Sequence, residues 1–315
     1  MNMNGKKIVL VGAGFVGMSF AYAALNQNVC DELVIIDIDK ERAKGEAMDL
    51  NHGLAFAQSN MDITEGEYAD CKDADIVVIC AGVAQKEGET RVDLLKRNAS
   101  VFESIVGPVV QSGFQGVFLV ATNPVDIMTR ITKDLSGFPE QRVIGTGTTL
   151  DSARLRYLVG EYFDIDPKSV HAYVIGEHGD SEFVPWSQAM IGTKPIETIC
   201  QEHEKYRQAE LERIGDQVRT AAYEIIKAKK ATYYGIGMAI VRICKAILNN
   251  EKSILTISCE MKGEYDLNGV YLGMPCIVDS TGARNIIRLS LTRSESAQLH
   301  ASADFLSQTY RDMHL

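Results

Sequence analysis

"KKIVLVGAGFVG", residues 6–17, decides the fold. An aliphatic run meets Gly12, Gly14 and Gly17 in GxGxxG spacing, and a helical pattern, "FVGMSFAYAALNQ", follows at once. Strand, glycine turn and helix in that order supply a tight turn, a backbone that a pyrophosphate can approach, and a helix N-terminus to receive its charge. Val16 lies inside the same turn. The next apolar run, "ELVIIDID", puts Asp37 twenty positions after Gly17. There a carboxylate accepts from ribose hydroxyls and repels a 2′-phosphate, so NAD is expected rather than NADP.

Outward from this unit the first half alternates short β-branched runs with helical patterns: "ERAKGEAMDLNHG", "ADIVVICAG", "GVFLVATNP". Continuous Val/Ile runs separated by helices imply a parallel sheet covered on both faces, a Rossmann doubly wound α/β domain over residues 1–145. From about Thr146 the texture changes to helix, strand, loop, two long helical patterns, two strand-like runs and a closing helix. That order predicts an α+β substrate domain over 146–315, with a helix near 234–250 packing back on the first domain. No repeat or Pro-rich linker separates the halves, so one rigid unit with a ligand-bearing cleft is expected.

The 315 residues are 46% hydrophobic and 23% charged, which suits a folded chain with a substantial core. A formal net charge of -10 supplies no broad basic face, which argues against nucleic acid or an anionic membrane as partner. Only "MNMNGKK" precedes the first apolar run, and no 18-residue uncharged stretch appears, so a cytoplasmic location is expected. The seven cysteines are scattered without a CxxC, which suggests neither disulfides nor a metal site.

Two patches carry candidate chemistry. In "TTLDSARLRYLV", Asp151 and Arg154 are spaced i, i+3 and share a helix face. In "IGEHGDSEFVPW", His178 sits in a Gly-flanked loop after a strand, a position fit for a general acid/base. Reducing a 2-oxo acid needs a proton donor, a cation to polarise the carbonyl and a guanidinium for the carboxylate. Taken singly, each residue also reads as ordinary: a loop histidine, a surface ion pair, and a solvated Arg91 in the charged stretch "AGVAQKEGETRVDLLKRN".

"GAGFVG", "AGVAQKEGETRVDLLKRN", "ATNPVD", "GTTLDSARLRYLV", "GEHGDSEFVPWS" and "ATYYGIGMA" occur in an order and spacing that resembles the L-lactate dehydrogenase branch of the lactate/malate dehydrogenase family. The resemblance runs from about Lys6 almost to the C-terminus. It implies NAD-dependent interconversion of pyruvate and (S)-lactate, the last step of lactic fermentation. His178 would be the acid/base and Asp151 its orienting partner. Arg154 would grip the substrate carboxylate with paired hydrogen bonds. Arg91, on a loop that closes, would stabilise charge on the carbonyl oxygen. Asn123 would bond near the reacting centre and the nicotinamide ribose, with a cis peptide to Pro124. Thr232 and Ile236 would line the pocket beside substrate and nicotinamide.

Gln85 discriminates within the family. Its malate dehydrogenases carry arginine there, which pairs with a second carboxylate; a neutral amide leaves that charge unpaired, so pyruvate is expected. Glu87 departs from the family's usual Gln-Lys-Pro-Gly, which loosens the loop and adds an acid near an anionic substrate. Arg156 and His171 resemble the pair that binds fructose 1,6-bisphosphate across a subunit two-fold in bacterial members. That implies an effector-sensitive homotetramer.

Overall fold

The computed structural model describes residues 5–58, 60–83, 88 and 91–313, the side chain of Arg91 excepted. Its first half is built from β1 (Lys7–Val11), α1 (Phe15–Asn26), β2 (Glu32–Ile36), α2 (Lys40–Gly53), β3 (Asp62–Glu65), β4 (Ile76–Ile79), α3 (Arg91–Gln111), β5 (Val117–Val120), α4 (Val125–Ser136) and β6 (Val143–Gly145). The strands β3-β2-β1-β4-β5-β6 lie side by side, all parallel. Every residue of β1, β4 and β5 is buried, which explains why these strands read as unbroken aliphatic runs: both faces are covered by helices.

The second half contains α5 (Thr149–Phe163), β7 (Val170–His171), β8 (Met190–Ile191), β9 (Lys194–Pro195), α6 (Ile196–Glu202), α7 (Gln208–Lys229), α8 (Tyr234–Leu248), β10 (Ser253–Lys262), β11 (Asn268–Asp279), β12 (Gly282–Ile286) and α9 (Arg293–Met313). Here β10, β11 and β12 pair antiparallel and extend the same sheet through β6, giving nine strands in the order β12-β11-β10-β6-β5-β4-β1-β2-β3. Hydrophobic patterning does not reveal that junction, because it rests on a single pairing of Ser258 with Gly145. The run 169–176 forms a shorter strand than its sequence suggests: β7 ends at His171, and the chain then makes isolated bridges from Ile175 to Phe183 and from Gly176 to Gly273.

One apolar cluster spans the sheet, α1, α8, β10, β11 and α9, so the two halves share a core. A second lies between α5 and α7. Helix α8 packs along α1, with Ile240, Cys244 and Ile247 buried. Among the described residues no helix is long and apolar enough to cross a membrane.

Candidate active site

The glycine turn has the form that its spacing predicts. Gly12 adopts φ +106, and a Cβ there would lie 2.6 Å from the Ala81 backbone nitrogen, so only glycine fits between the ends of β1 and β4. A Cβ on Gly17 would sit 2.0 Å from the Gly12 carbonyl oxygen, which lets α1 start directly against the turn. Around Gly14 the space is open, as close approach of a phosphate requires. Asp37 directly follows β2 and accepts from the Ala13 backbone N–H at 2.7 Å, which fixes the carboxylate beside the turn. Asp39, rather than Asp37, caps α2 by accepting from the Arg42 N–H at 3.1 Å. These features fit a dinucleotide whose pyrophosphate rests on α1 and whose ribose reaches Asp37. Val16 is half-buried in the first turn of α1.

Asn123 is exposed at the end of β5, and its bond to Pro124 is cis. At the other edge, Ile236 packs on the core from the first turn of α8, while Thr232 is half-buried in the connection from α7.

The chemistry is concentrated where α5 meets the loop after β7. Asp151, 1% exposed in the first turn of α5, bonds His178 Nδ1 at 2.6 Å through one oxygen and accepts from the Arg154 guanidinium at 2.7 Å through the other. A surface ion pair is therefore the wrong description of Asp151 and Arg154. A carboxylate this deeply buried persists only because two cationic partners compensate its lost hydration. Burial works against its charge, but His178 and Arg154 outweigh burial and hold Asp151 below the usual carboxylate range. Burial likewise opposes charge on His178, yet Asp151 raises it to about 9. The imidazole is thus protonated at neutral pH, with Nδ1 engaged and the other ring nitrogen left for a reacting oxygen.

Two residues near the pair stand inside the quoted motifs, but the sequence alone assigns them no role. Asp126, 2% exposed, accepts from the His178 backbone N–H at 2.8 Å and from the Ser258 hydroxyl at 2.5 Å. It ties the histidine loop to α4 and β10, and burial raises its carboxyl to about 6. A carboxylate in an otherwise apolar first turn was the available clue. Glu182, 7% exposed, lies in the histidine loop itself; burial, then the neighbouring Asp151, pushes its carboxyl up to about 9. Loops have no periodicity that would have marked it.

The segment after β4 is anchored where it leaves the sheet: the Val83 N–H donates to buried Asn98 at 2.9 Å, and the Thr122 hydroxyl donates to the Ala81 carbonyl at 2.7 Å. Gln85, Glu87 and the Arg91 side chain lie outside the described residues. Arg156 packs against the short chain segment that follows His171. Arg156 Nε donates to the Ala172 carbonyl at 3.5 Å with its guanidinium 5.8 Å over the Tyr173 ring, and His171 is exposed next to it in the chain.

A dinucleotide turn joined to a buried carboxylate–histidine pair and a guanidinium defines an NAD-dependent oxidoreductase. The lactate/malate dehydrogenase NAD binding domain matches residues 6–145, and the lactate/malate dehydrogenase alpha/beta C-terminal domain matches residues 148–313. The chain belongs to the lactate/malate dehydrogenase family. It is 52% identical to an L-lactate dehydrogenase of a Geobacillus species over 98% of each chain. An L-lactate dehydrogenase of Bacillus velezensis is 54% identical over 97% of this chain and 96% of the relative. Among solved structures, a lactate dehydrogenase from a Medee basin deep-sea metagenome library superposes with TM-score 0.97 at 53% identity, covering 99% and 100% of the two chains. The ligand-bound minor L-lactate dehydrogenase of Enterococcus mundtii gives 0.96 at 49% identity, covering 97% and 98%.

Proposed function

We propose that the protein is an L-lactate dehydrogenase that reduces pyruvate to (S)-lactate and runs in reverse. The observation that carries this reading is the Asp151–His178 bond of 2.6 Å, with Arg154 on the same carboxylate. NAD, bound across the glycine turn, supplies or accepts the hydride. His178 gives its proton to the substrate carbonyl oxygen, and Asp151 holds the ring in one orientation while stabilising the imidazolium. Arg154 turns its free N–H groups to the substrate carboxylate. Arg91 brings a second cation to the carbonyl oxygen when the 84–90 segment closes, and Asn123, Thr232 and Ile236 shape the pocket around substrate and cofactor. Gln85 favours pyruvate over a dicarboxylate.

In this reading the enzyme is cytoplasmic, ends lactic fermentation and works as a homotetramer activated by fructose 1,6-bisphosphate. Arg156 and His171 of paired subunits would hold the phosphates. Exposed Phe15, Tyr22, Tyr234 and Met238 surround an apolar hollow of about 490 Å³ along α1 and α8, a surface suited to subunit contact. The test is steady-state NADH oxidation with pyruvate, oxaloacetate and 2-oxoisocaproate. Pyruvate should have the highest kcat/KM; preference for oxaloacetate would refute the Gln85 argument, and preference for the branched acid would move the substrate assignment.

A further inference from the structure

Glu182 is a buried acid that this scheme does not use. Bonds between Ile175 and Phe183, at 3.0 and 3.1 Å, close the neck of the histidine loop, and the Glu182 N–H donates to the Gly179 carbonyl at 3.1 Å. The Glu182 side chain is buried. One of its carboxyl oxygens, an Asp151 oxygen and a His178 ring nitrogen all lie within 4.8 Å of one another. Among the described residues no hydrogen bond reaches the Glu182 carboxyl. Its far side lines a cavity of about 400 Å³ with Trp186, Asp216 and Arg219, none of which belongs to the acid/base pair.

The charges around it set the problem. Asp151 and Arg154 face it from α5, His178 from its own loop, and Arg219 from α7, where it is paired to Asp216 at 2.9 Å. Asp126 lies behind His178 on α4. Arg91, whose side chain lies outside the described residues, would join from the closing segment. Before Arg91 arrives, while the substrate is being captured, Asp151 as an anion against Arg154 and protonated His178 leaves a single positive charge in the innermost cluster, which one substrate carboxylate neutralises. Ionised Glu182 would cancel that charge beforehand and leave the bound substrate facing uncompensated negative charge in a poorly hydrated pocket.

Resting on the pyruvate reading above, we propose that Glu182 is a second proton-holding residue of the active site, and that only its uncharged form admits a 2-oxo acid anion beside Arg154. Substrate capture by the reduced-cofactor complex then needs two protons in place, one on His178 and one on Glu182. The carboxyl's shift to about 9 agrees with a group that stays protonated through the neutral range.

The experiment is the pH dependence of kcat/KM for pyruvate in the parent and in Glu182→Gln, which keeps the shape but cannot ionise. Above about pH 9 the parent should lose about a hundredfold per pH unit and the variant about tenfold, one proton each being worth one decade. A tenfold limb in both overturns the proposal. Should the variant not fold, calorimetry of oxamate binding to the parent–NADH complex, in buffers of different ionisation enthalpy, reads the protons directly. Uptake should climb above one per site beyond about pH 9, and a ceiling of one overturns the proposal. Pyruvate turnover with a one-proton limb removes the Glu182 role alone; no pyruvate turnover at any pH removes the substrate reading and this role with it.

Discussion

Helix α5 carries two charged arrangements on opposite faces. Asp151 and Arg154, one turn apart, face the histidine loop, where buried Asp151 bonds His178 at 2.6 Å and Arg154 at 2.7 Å. Arg156, two residues further and so about 200° around the axis, reaches the Ala172 carbonyl at 3.5 Å beside exposed His171. Burial makes the difference. In the first arrangement each charge is fixed by its partners, because leaving one unpaired costs several kcal/mol. In the second, Arg156 has only a long bond to a neutral carbonyl and the face of Tyr173, and His171 stands exposed to solvent, so an added anion can still reorganise them. On the proposed reading, one face serves constant chemistry and the other response.

The largest effect should come from breaking the buried face. Asp151→Asn leaves His178 without its anionic partner and should lower kcat/KM for pyruvate by about 10²- to 10⁴-fold in steady-state NADH oxidation; a loss below tenfold would mean that the pair is not the acid/base. Gln85→Arg supplies a cation for a second carboxylate and should raise the oxaloacetate-to-pyruvate ratio of kcat/KM by roughly 10²- to 10³-fold, the scale of a buried charge gaining its partner. An unchanged ratio would show that residue 85 does not meet the substrate.

Arg154→Lys keeps the charge but loses the planar fork, and KM for pyruvate should rise about ten- to a hundredfold, the worth of one charge-assisted hydrogen bond. On the solvated face, Arg156→Gln with His171→Ala should abolish the shift that fructose 1,6-bisphosphate causes in the pyruvate saturation curve. A shift that survives the double substitution would place the effector elsewhere.

The same contrast explains what the sequence could and could not tell. The parallel strands were legible because β1, β4 and β5 are buried on both faces and so read as unbroken aliphatic runs. The glycine turn was legible because Gly12 and Gly17 are sterically forced. Asp151, Arg154 and His178 were visible as residue types, but their pairing across 27 residues is tertiary and has no local pattern. Asp126 and Glu182 were missed for the same reason: an acid's role in a site depends on what lies across from it. The continuation of the sheet from β6 into β10 was equally hidden, since a single pairing joins them.

The central claim is that His178, charged by Asp151, donates the proton in pyruvate reduction. It is tested most directly by the pH profile of kcat/KM for pyruvate in the parent and in Asp151→Asn. His178 is raised to about 9, so its protonated form persists below that value and is lost as pH rises through it. The parent profile should therefore stay level through neutral pH and fall above about 9. Without the Asp151 charge the residual activity should fall from a pH nearer histidine's ordinary value of about 6.5. A limb that stays in place when Asp151 is replaced would contradict the account.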